Sequence, residues 1–375
     1  MKYHAVATCL FGLEKIVEFE LKKTGAADTK AENGRVFFTA DEMGLAEANI
    51  CSRTAERILL LIAQFKATDF DMLFEQTYSV GWGEYIERKD AFPVKGYSIN
   101  SKLSSVPAMQ SVIKKAIAER LSKHHNTRFL TEKSGITKQI RFSVIRDCCI
   151  LMLDTSGEGL HKRGYRPLTH EAPIRETLAA GIVDFARIKP DSRAADPFCG
   201  SGSLLIEAAM KAKNIAPGLK RSFAGEGYGF IGKKIFDQAR QKVSESINRE
   251  SAFFARGYDT DRNAVENASR NAKNAGVDDV IFFEQADARR FKTEPNEIIL
   301  ANPPYGKRMD SLTEAEKLLS DFFTGISKQQ FKGLYIISSH PDFEKVAGMK
   351  AARRRKLYNG MIECQLYMYF NPGAA

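Results

Sequence analysis

The residues with the most chemical content stand in two stretches about a hundred positions apart, Asp196-Pro-Phe-Cys-Gly-Ser-Gly202 and Asn302-Pro-Pro-Tyr-Gly306. In the first, Gly200 and Gly202 fall where an apolar strand should break into a helix. Glycine lets such a turn take positive φ and lets a ligand approach the backbone. A dinucleotide fingerprint needs a third glycine at position 205, where Leu205 stands, and no Gly-Lys-Ser/Thr follows. Neither a pyrophosphate nor a P-loop is expected. Asp259 ends the next strand and can accept both hydrogen bonds of a ribose diol. Asp287 follows the strand after that and can accept from an adenine amino group. Taken singly, each could be a plain turn or a loop acid. Together they describe a pocket for an adenosine with a short, uncharged link to its next group. S-adenosylmethionine fits that description; NAD and ATP fit poorly.

The second stretch suits an exocyclic amine. The amine of a nucleobase is a poor nucleophile, because its lone pair is delocalised into the ring. The Asn302 side-chain oxygen and the Pro303 carbonyl can each accept one of its N–H bonds. That favours a pyramidal nitrogen whose lone pair points at a methyl donor. A sulfonium is already a good leaving group, so positioning carries most of the rate. Pro303 and Pro304 stiffen the loop. Tyr305 offers a face on which an extruded base can stack. A proline turn with an incidental Asn and Tyr is the bland alternative.

These loops need elements to hold them, and the 375 residues suffice for two or three domains. From residue 190 strands alternate with helices. The strands are expected at Arg193–Pro197, Phe253–Asp259, Val280–Gln285, Ile298–Asn302, Leu334–Ser339 and Cys364–Phe370. Helices are expected at Ser203–Lys213, Asp261–Ala275 and Thr313–Lys328, with an inserted helix from Lys233 to Arg249. That alternation predicts a parallel sheet covered on both faces, with ligands at the carboxyl ends of its strands. Asp261 reads as a helix N-cap.

Residues 1–66 read as a compact ferredoxin-like α/β unit, with strands at Tyr3–Thr8, Arg35–Thr39 and Arg57–Phe65 and a helix capped by Asp41. Residues 67–155 repeat the mixture. A helix is expected from Asp71 to Glu87, another from Ala108 to His125, and a hairpin turns at Arg146-Asp147. Pro173 starts a helix running to Gly181, and the domain boundary falls near it.

The formal charge is +10, and residues 100–166 hold 13 Lys or Arg against 5 Asp or Glu. A diffuse surplus would be only a solvated surface. Concentration in one segment points to a polyanionic partner gripped through phosphates. The cysteines Cys9, Cys51, Cys148, Cys149, Cys199 and Cys364 lack metal-ligand spacing, so neither a metal site nor a disulfide framework is expected. No apolar run is long enough to span a membrane, and the amino terminus lacks a signal-peptide layout. A cytoplasmic protein is expected.

Asp196-Pro-Phe-Cys-Gly-Ser-Gly-Ser-Leu-Leu-Ile-Glu207 with Asn302-Pro-Pro-Tyr-Gly306 resembles the THUMP-domain class I RNA methyltransferases. It is most similar to the bacterial large-subunit rRNA guanine-N2-methyltransferases, formerly labelled adenine-specific DNA methylases. Leu160-His-Lys-Arg-Gly-Tyr-Arg166 and Ala172-Pro173 match the family's linker. The resemblance covers nearly the whole chain. It implies an α/β architecture: a ferredoxin-like unit (1–66), a THUMP module (67–155), a linker with a lead-in helix (156–189) and a Rossmann-like, SAM-dependent methyltransferase domain (190–375). It implies cofactor contacts at Asp196, Phe198, Gly200, Gly202, Asp259 and Asp287, and catalysis by Asn302 through Tyr305. The implied reaction is methylation of guanosine N2 in RNA, with large-subunit rRNA first. Guanine-N2 methylation of tRNA, adenine-N6 methylation of DNA, and an RNA chaperone with a vestigial pocket remain as alternatives.

Overall fold

The computed structural model describes residues 1–127, 130, 135–166, 174–304 and 312–370. Its first unit runs β1 (Tyr3–Cys9), α1 (Glu14–Lys23), β2 (Ala27–Glu32), β3 (Arg35–Ala40), α2 (Glu42–Cys51) and β4 (Ala55–Lys66). The Asp41 carboxylate accepts from the Gly44 N–H at 2.8 Å and so caps α2, as its position before an apolar run predicts. β2 is an addition to the expected strands. Its sequence, Ala-Asp-Thr-Lys-Ala-Glu, is polar because it forms an edge strand, held by backbone pairing to β3.

The second unit runs α3 (Phe70–Ser79), β5 (Val94–Ile99), α4 (Val106–His124), β6 (Ile140–Ile145) and β7 (Cys148–Asp154). The helix expected to reach Glu87 stops at Ser79. The buried Trp82 indole then donates to the Thr77 carbonyl at 2.8 Å, satisfying a group that the helix end leaves open. On α4, Met109, Ile113, Ala116, Ile117 and Leu121 form the buried stripe. Arg146 and Asp147 take φ of +50° and +63°, the two left-handed residues that a tight hairpin requires. The strands of both units join in one sheet, in the order β2-β3-β1-β4-β7-β6-β5.

The remaining elements are α5 (Glu176–Phe185), β8 (Arg193–Asp196), α6 (Ser203–Ala212), α7 (Gly232–Glu245), β9 (Phe254–Asp259), α8 (Arg262–Ala275), β10 (Ile281–Gln285), β11 (Glu297–Ala301), α9 (Leu312–Ile326), β12 (Gly333–Ser338), α10 (Phe343–Ala347), β13 (Arg353–Asn359) and β14 (Ile362–Tyr369). Their sheet has the order β10-β9-β8-β11-β12-β14-β13. The first five strands are parallel, as the alternation predicts. β14 is antiparallel to β12, and β13 to β14. The basic run Arg353–Lys356 thus belongs to an edge strand. α5 starts at Glu176, and Ala172 and Pro173 lie outside the described residues. Among the described residues no helix is long and apolar enough to cross a membrane.

The two sheets exchange core residues. Phe223, Tyr228, Ile231, Phe236, Ala239 and Val243, from the segment around α7, pack in the core of the N-terminal sheet. In return Leu13 lies in the core of the second sheet, against Gly181 of α5, where an added Cβ would come within 2.6 Å of it. A polar clamp accompanies this exchange. Arg53, just before β4, donates to the Met210 and Ile215 carbonyls at the carboxyl end of α6, at 3.2 and 2.8 Å. Arg163 donates to Glu207 of α6 at 3.3 Å and to the carbonyls of Leu160 and Arg53. The Tyr165 hydroxyl donates to Glu207 at 3.2 Å. The segment from about residue 170 is therefore not free-standing. Excising it would bare Phe223, Tyr228 and Phe236, so the intact chain is the unit to test. Arg53→Ala removes two donors from helix-end carbonyls and should cost about 2–4 kcal/mol of stability in urea denaturation. A loss below about 0.5 kcal/mol, the surface range, would show that the clamp is incidental.

Candidate active site

The chain reverses direction across the second sheet between β8 and β11. From β8 it builds outward through β9 and β10, then crosses to β11 and β12. The carboxyl edge at such a reversal holds an open crevice. Asp196 ends β8, the glycine turn follows, and Ser203 starts α6. Asp259 ends β9, Asp287 lies two residues beyond β10, and Asn302 follows the last residue of β11. Adjacent parallel strands in register therefore bring these residues to one edge.

Asp196 is 1% exposed, and its Oδ1 accepts from the Phe198 N–H at 2.9 Å. Burial pushes its carboxyl well above the usual range; that hydrogen bond opposes the shift and the nearby Asp259 charge adds to it. Gly200 and Gly202 take φ of +50° and +78°. A Cβ on Gly202 would come within 2.9 Å of the Phe283 ring and 3.2 Å of Ala268. A Cβ on Gly200 would meet nothing within 4 Å, so the backbone there faces open space. The Gly200 N–H is held by Asp259 Oδ2 at 3.0 Å, while Oδ1 accepts from the Asp261 N–H at 2.9 Å. Asp259 thus braces the turn and the start of α8. A carboxylate offers about four acceptor sites, so two remain for a diol. Asp261 caps α8 by accepting from the Asn263 N–H at 2.9 Å.

Asp287 is more occupied than its sequence position suggests. Its Oδ1 accepts from the Arg289 N–H at 2.9 Å, and both oxygens bind the Arg289 guanidinium. That pairing holds its carboxyl below the usual range. Phe198 packs edge-on to Phe322 at 5.2 Å. Burial pushes the Cys199 thiol up, so no reactive thiolate stands in the turn. Two supporting residues, Phe283 and Gly257, carry no motif of their own. Phe283 fills the space under Gly202, and it also sits where a Cβ on Gly257 would collide, at 2.4 Å. A glycine inside a strand, as in Arg256-Gly-Tyr-Asp259, signals such a close approach.

Every residue of β11 is buried. Asn302 is partly buried, and its Oδ1 is shielded from solvent with no hydrogen-bond partner among the described residues. Pro303 is buried and Pro304 partly so. Tyr305, expected to stack on the base, lies outside the described residues. A shielded amide oxygen is costly to leave without a donor, and a ligand N–H can supply one. The open backbone at Gly200 and the orphaned Asn302 oxygen thus fit an adenosyl cofactor on one side and an amine on the other. Among the described residues no group of three or more His, Cys, Asp or Glu could hold a metal, and the six cysteines are free.

The Asp196 environment generates a pH test. A carboxyl whose folded pKa is raised contributes stability that is complete below its unfolded value, about 3.9, and lost as pH rises through the folded value. Asp196→Asn keeps an acceptor for the Phe198 N–H and carries no charge. Its melting temperature relative to the parent should therefore rise from pH 5 to pH 8. An offset independent of pH would show that Asp196 is not held protonated by burial.

Comparison with known proteins matches three successive stretches of the chain. The RlmL ferredoxin-like domain matches residues 4–59, the THUMP domain 67–154, and the family described as RMKL-like, methyltransferase domain, 163–368. YpsC of Bacillus subtilis (strain 168), whose name assigns it provisionally as an RNA methyltransferase, is 38% identical over 99% of this chain and 96% of its own. A crystal structure described as a possible methylase from Clostridium difficile 630 superposes with a TM-score of 0.95 at 40% identity, covering 99% of each chain. SMU.472, a methyltransferase by description and solved with S-adenosylhomocysteine, superposes with a TM-score of 0.91 at 34% identity, covering 99% of this chain and 98% of its own. The chain belongs to the RMKL-like methyltransferase family, with RlmL-type ferredoxin-like and THUMP domains ahead of the catalytic sheet, and its methyl donor is S-adenosylmethionine.

Proposed function

We propose that the protein transfers a methyl group to the exocyclic N2 amine of a guanosine in RNA, with large-subunit rRNA as the first substrate to test. The observation that carries the amine chemistry is the shielded Oδ1 of Asn302, which has no hydrogen-bond partner among the described residues. In this reading Asn302 Oδ1 and the Pro303 carbonyl accept the two N–H bonds, Pro304 stiffens the loop, and Tyr305 stacks on the base. Asp196, Phe198, Gly200, Gly202, Asp259 and Asp287 form the cofactor side. The cofactor supplies an electrophilic methyl on a sulfonium; the chain's own residues hold the nitrogen in line and exclude water.

RNA as the polymer is supported by a cleft of about 1360 Å³ between the N-terminal sheet and the catalytic domain. Its lining includes Arg57, Lys95, Arg141, Lys162 and Arg166. Arg57 and Arg141 share one oxygen of the buried Asp154, each at 2.7 Å, so two guanidinium charges meet one carboxylate. The pair retains positive charge for phosphates. Guanine N2 as the target rests on the family resemblance. The division into 1–66, 67–155, 156–189 and 190–375 is part of the proposal: the first two units hold RNA and the last performs the transfer.

Asn302→Ala should leave cofactor affinity unchanged and lower turnover by about 100-fold or more, the scale of one deleted transition-state hydrogen bond. Asn302→Asp, which keeps an acceptor, should retain more activity than the alanine variant. Labelled methyl from the donor should appear, after RNA digestion, in N2-methylguanosine. Label in N6-methyladenosine, or transfer to DNA alone, would overturn the substrate assignment; full activity in Asn302→Ala would overturn the chemistry. For the cleft, Lys95→Gln with Lys162→Gln should reduce the salt dependence of RNA binding, by roughly 0.7–0.9 in log–log slope for each phosphate that is no longer neutralised. An unchanged slope would remove these two lysines from the RNA-binding surface.

A further inference from the structure

α9 is the helix that follows Asn302 in the chain, and its two halves are held differently. The carboxyl half is fixed by burial. Leu319, Phe322, Phe323 and Ile326 share one apolar core with Ile299 and Ala301 of β11 and with Leu334 and Ile336 of β12. Phe322 also meets Phe198 of the glycine turn. The amino half has little of this. From Thr313 to Leu318 only Ala315 is buried. Apolar packing is non-directional, so it leaves the slide and rotation of that half weakly specified.

One polar pair supplies the direction. Glu316 Oε1 lies 3.0 Å from Nε2 of His340, whose side chain is 8% exposed. His340 stands two residues past β12 and is held by its own backbone surroundings. Its N–H donates to Oγ of the buried Ser338 at 3.1 Å, and the Asp342 N–H donates to its Nδ1 at 3.1 Å. Because Nδ1 accepts, the ring proton of the neutral imidazole belongs on Nε2, which donates to Glu316. The ring can therefore offer that proton in one direction only. β11 and β12 are adjacent parallel strands, with Ala301 beside Ile336. Asn302 leaves the end of β11, and His340 leaves the same edge one strand away. The pair thus ties the helix that follows Asn302 to the strand next to the one that presents Asn302.

We propose, on the reading that Asn302 accepts the substrate amine, that His340 and Glu316 are a positioning pair for methyl transfer. They set the amino half of α9, and through it the place of the Asn302 loop. Neither side chain touches the reacting atoms. Their effect is on the distance and angle at which Asn302 meets the amine, where an error of about 1 Å can cost about 100-fold in rate. The cofactor side is insulated from them, because Phe322 anchors the other half of α9 against Phe198.

The test uses the full-length chain, RNA extracted from cells lacking the enzyme, and labelled methyl donor. Glu316→Ala should lower kcat by about 10-fold to 100-fold and leave KM for RNA within about twofold. Affinity for S-adenosylhomocysteine by calorimetry should also stay within about twofold, since no cofactor contact is removed. Glu316→Gln, which keeps an acceptor for Nε2–H, should restore most of the rate. The losses in Glu316→Ala and His340→Ala should not add in the double variant. Amide hydrogen exchange should quicken in residues 313–319 of Glu316→Ala and stay unchanged in 322–326. Full turnover in Glu316→Ala, unchanged exchange in its 313–319 segment, additive losses with His340→Ala, or a Gln variant as slow as the Ala variant would each overturn the positioning role. Asn302→Ala assayed in parallel separates this from the reading beneath it: full activity in Glu316→Ala alone refutes the pair, and full activity in both refutes the role of Asn302.

Discussion

The clamp on α6 is the constraint on which the arrangement of the molecule depends. One ten-residue helix carries the glycine turn at its amino end and receives Arg53 and Arg163 towards its carboxyl end. Glu207, fully buried on that helix, would be a severe cost if unpaired; Arg163 and Tyr165 both donate to its Oε1, and its Oε2 has no hydrogen-bond partner among the described residues. Networks of this kind contribute more to uniqueness than to net stability, because a misdocked arrangement strands the charges. Docking of the N-terminal sheet is thereby tied to the helix that follows the glycine turn. In the proposed reading, a base reaches Asn302 only if the surface that grips the polymer keeps a fixed angle to the crevice.

Electrostatics in the cleft follow the same logic of shared partners. Asp154 is completely buried and accepts from both Arg57 and Arg141. The side chains of those arginines are 23% and 25% exposed, so neither is free to swing, yet both face the cleft. Holding them on a buried carboxylate removes the entropy that long basic side chains normally lose when they meet a phosphate. Arg221 is held differently. Its guanidinium donates to the neutral carbonyls of Glu158, Gly159 and Lys162, which fixes it in the cleft wall with its charge unneutralised.

What is legible in the sequence is what is local. Glycine at two positions of a strand-to-helix turn has few uses, and both take positive φ. Asn before two prolines marks a strand end, and Asp41 and Asp261 cap where the apolar periodicity starts. The less legible parts depend on partners far away in the chain. β2 is mostly polar, without an apolar alternation, and recognisable only once β3 is beside it. The direction of β14 is a matter of connection, not of composition. Nothing in the amphipathic pattern of α7 says which core its apolar face joins, and it joins the N-terminal one. In the sequence Asp287 is an available acceptor; the neighbouring Arg289 changes that reading.

The exchange of apolar side chains between the sheets also bears on how the chain is made. Phe223, Tyr228 and Phe236 are synthesised well after β7 has closed the N-terminal sheet, yet they complete its core; the Tyr228 hydroxyl donates to the carbonyl of Asp154 at 2.5 Å. Until they emerge, a nascent N-terminal half carries an uncovered apolar face, the kind of surface that chaperones hold and proteases find. Leu13, by contrast, is already present when the second sheet assembles around it. Folding during translation is therefore staggered: the first half waits for an insertion in the second, and a truncated product is marked for disposal by the surface it cannot cover.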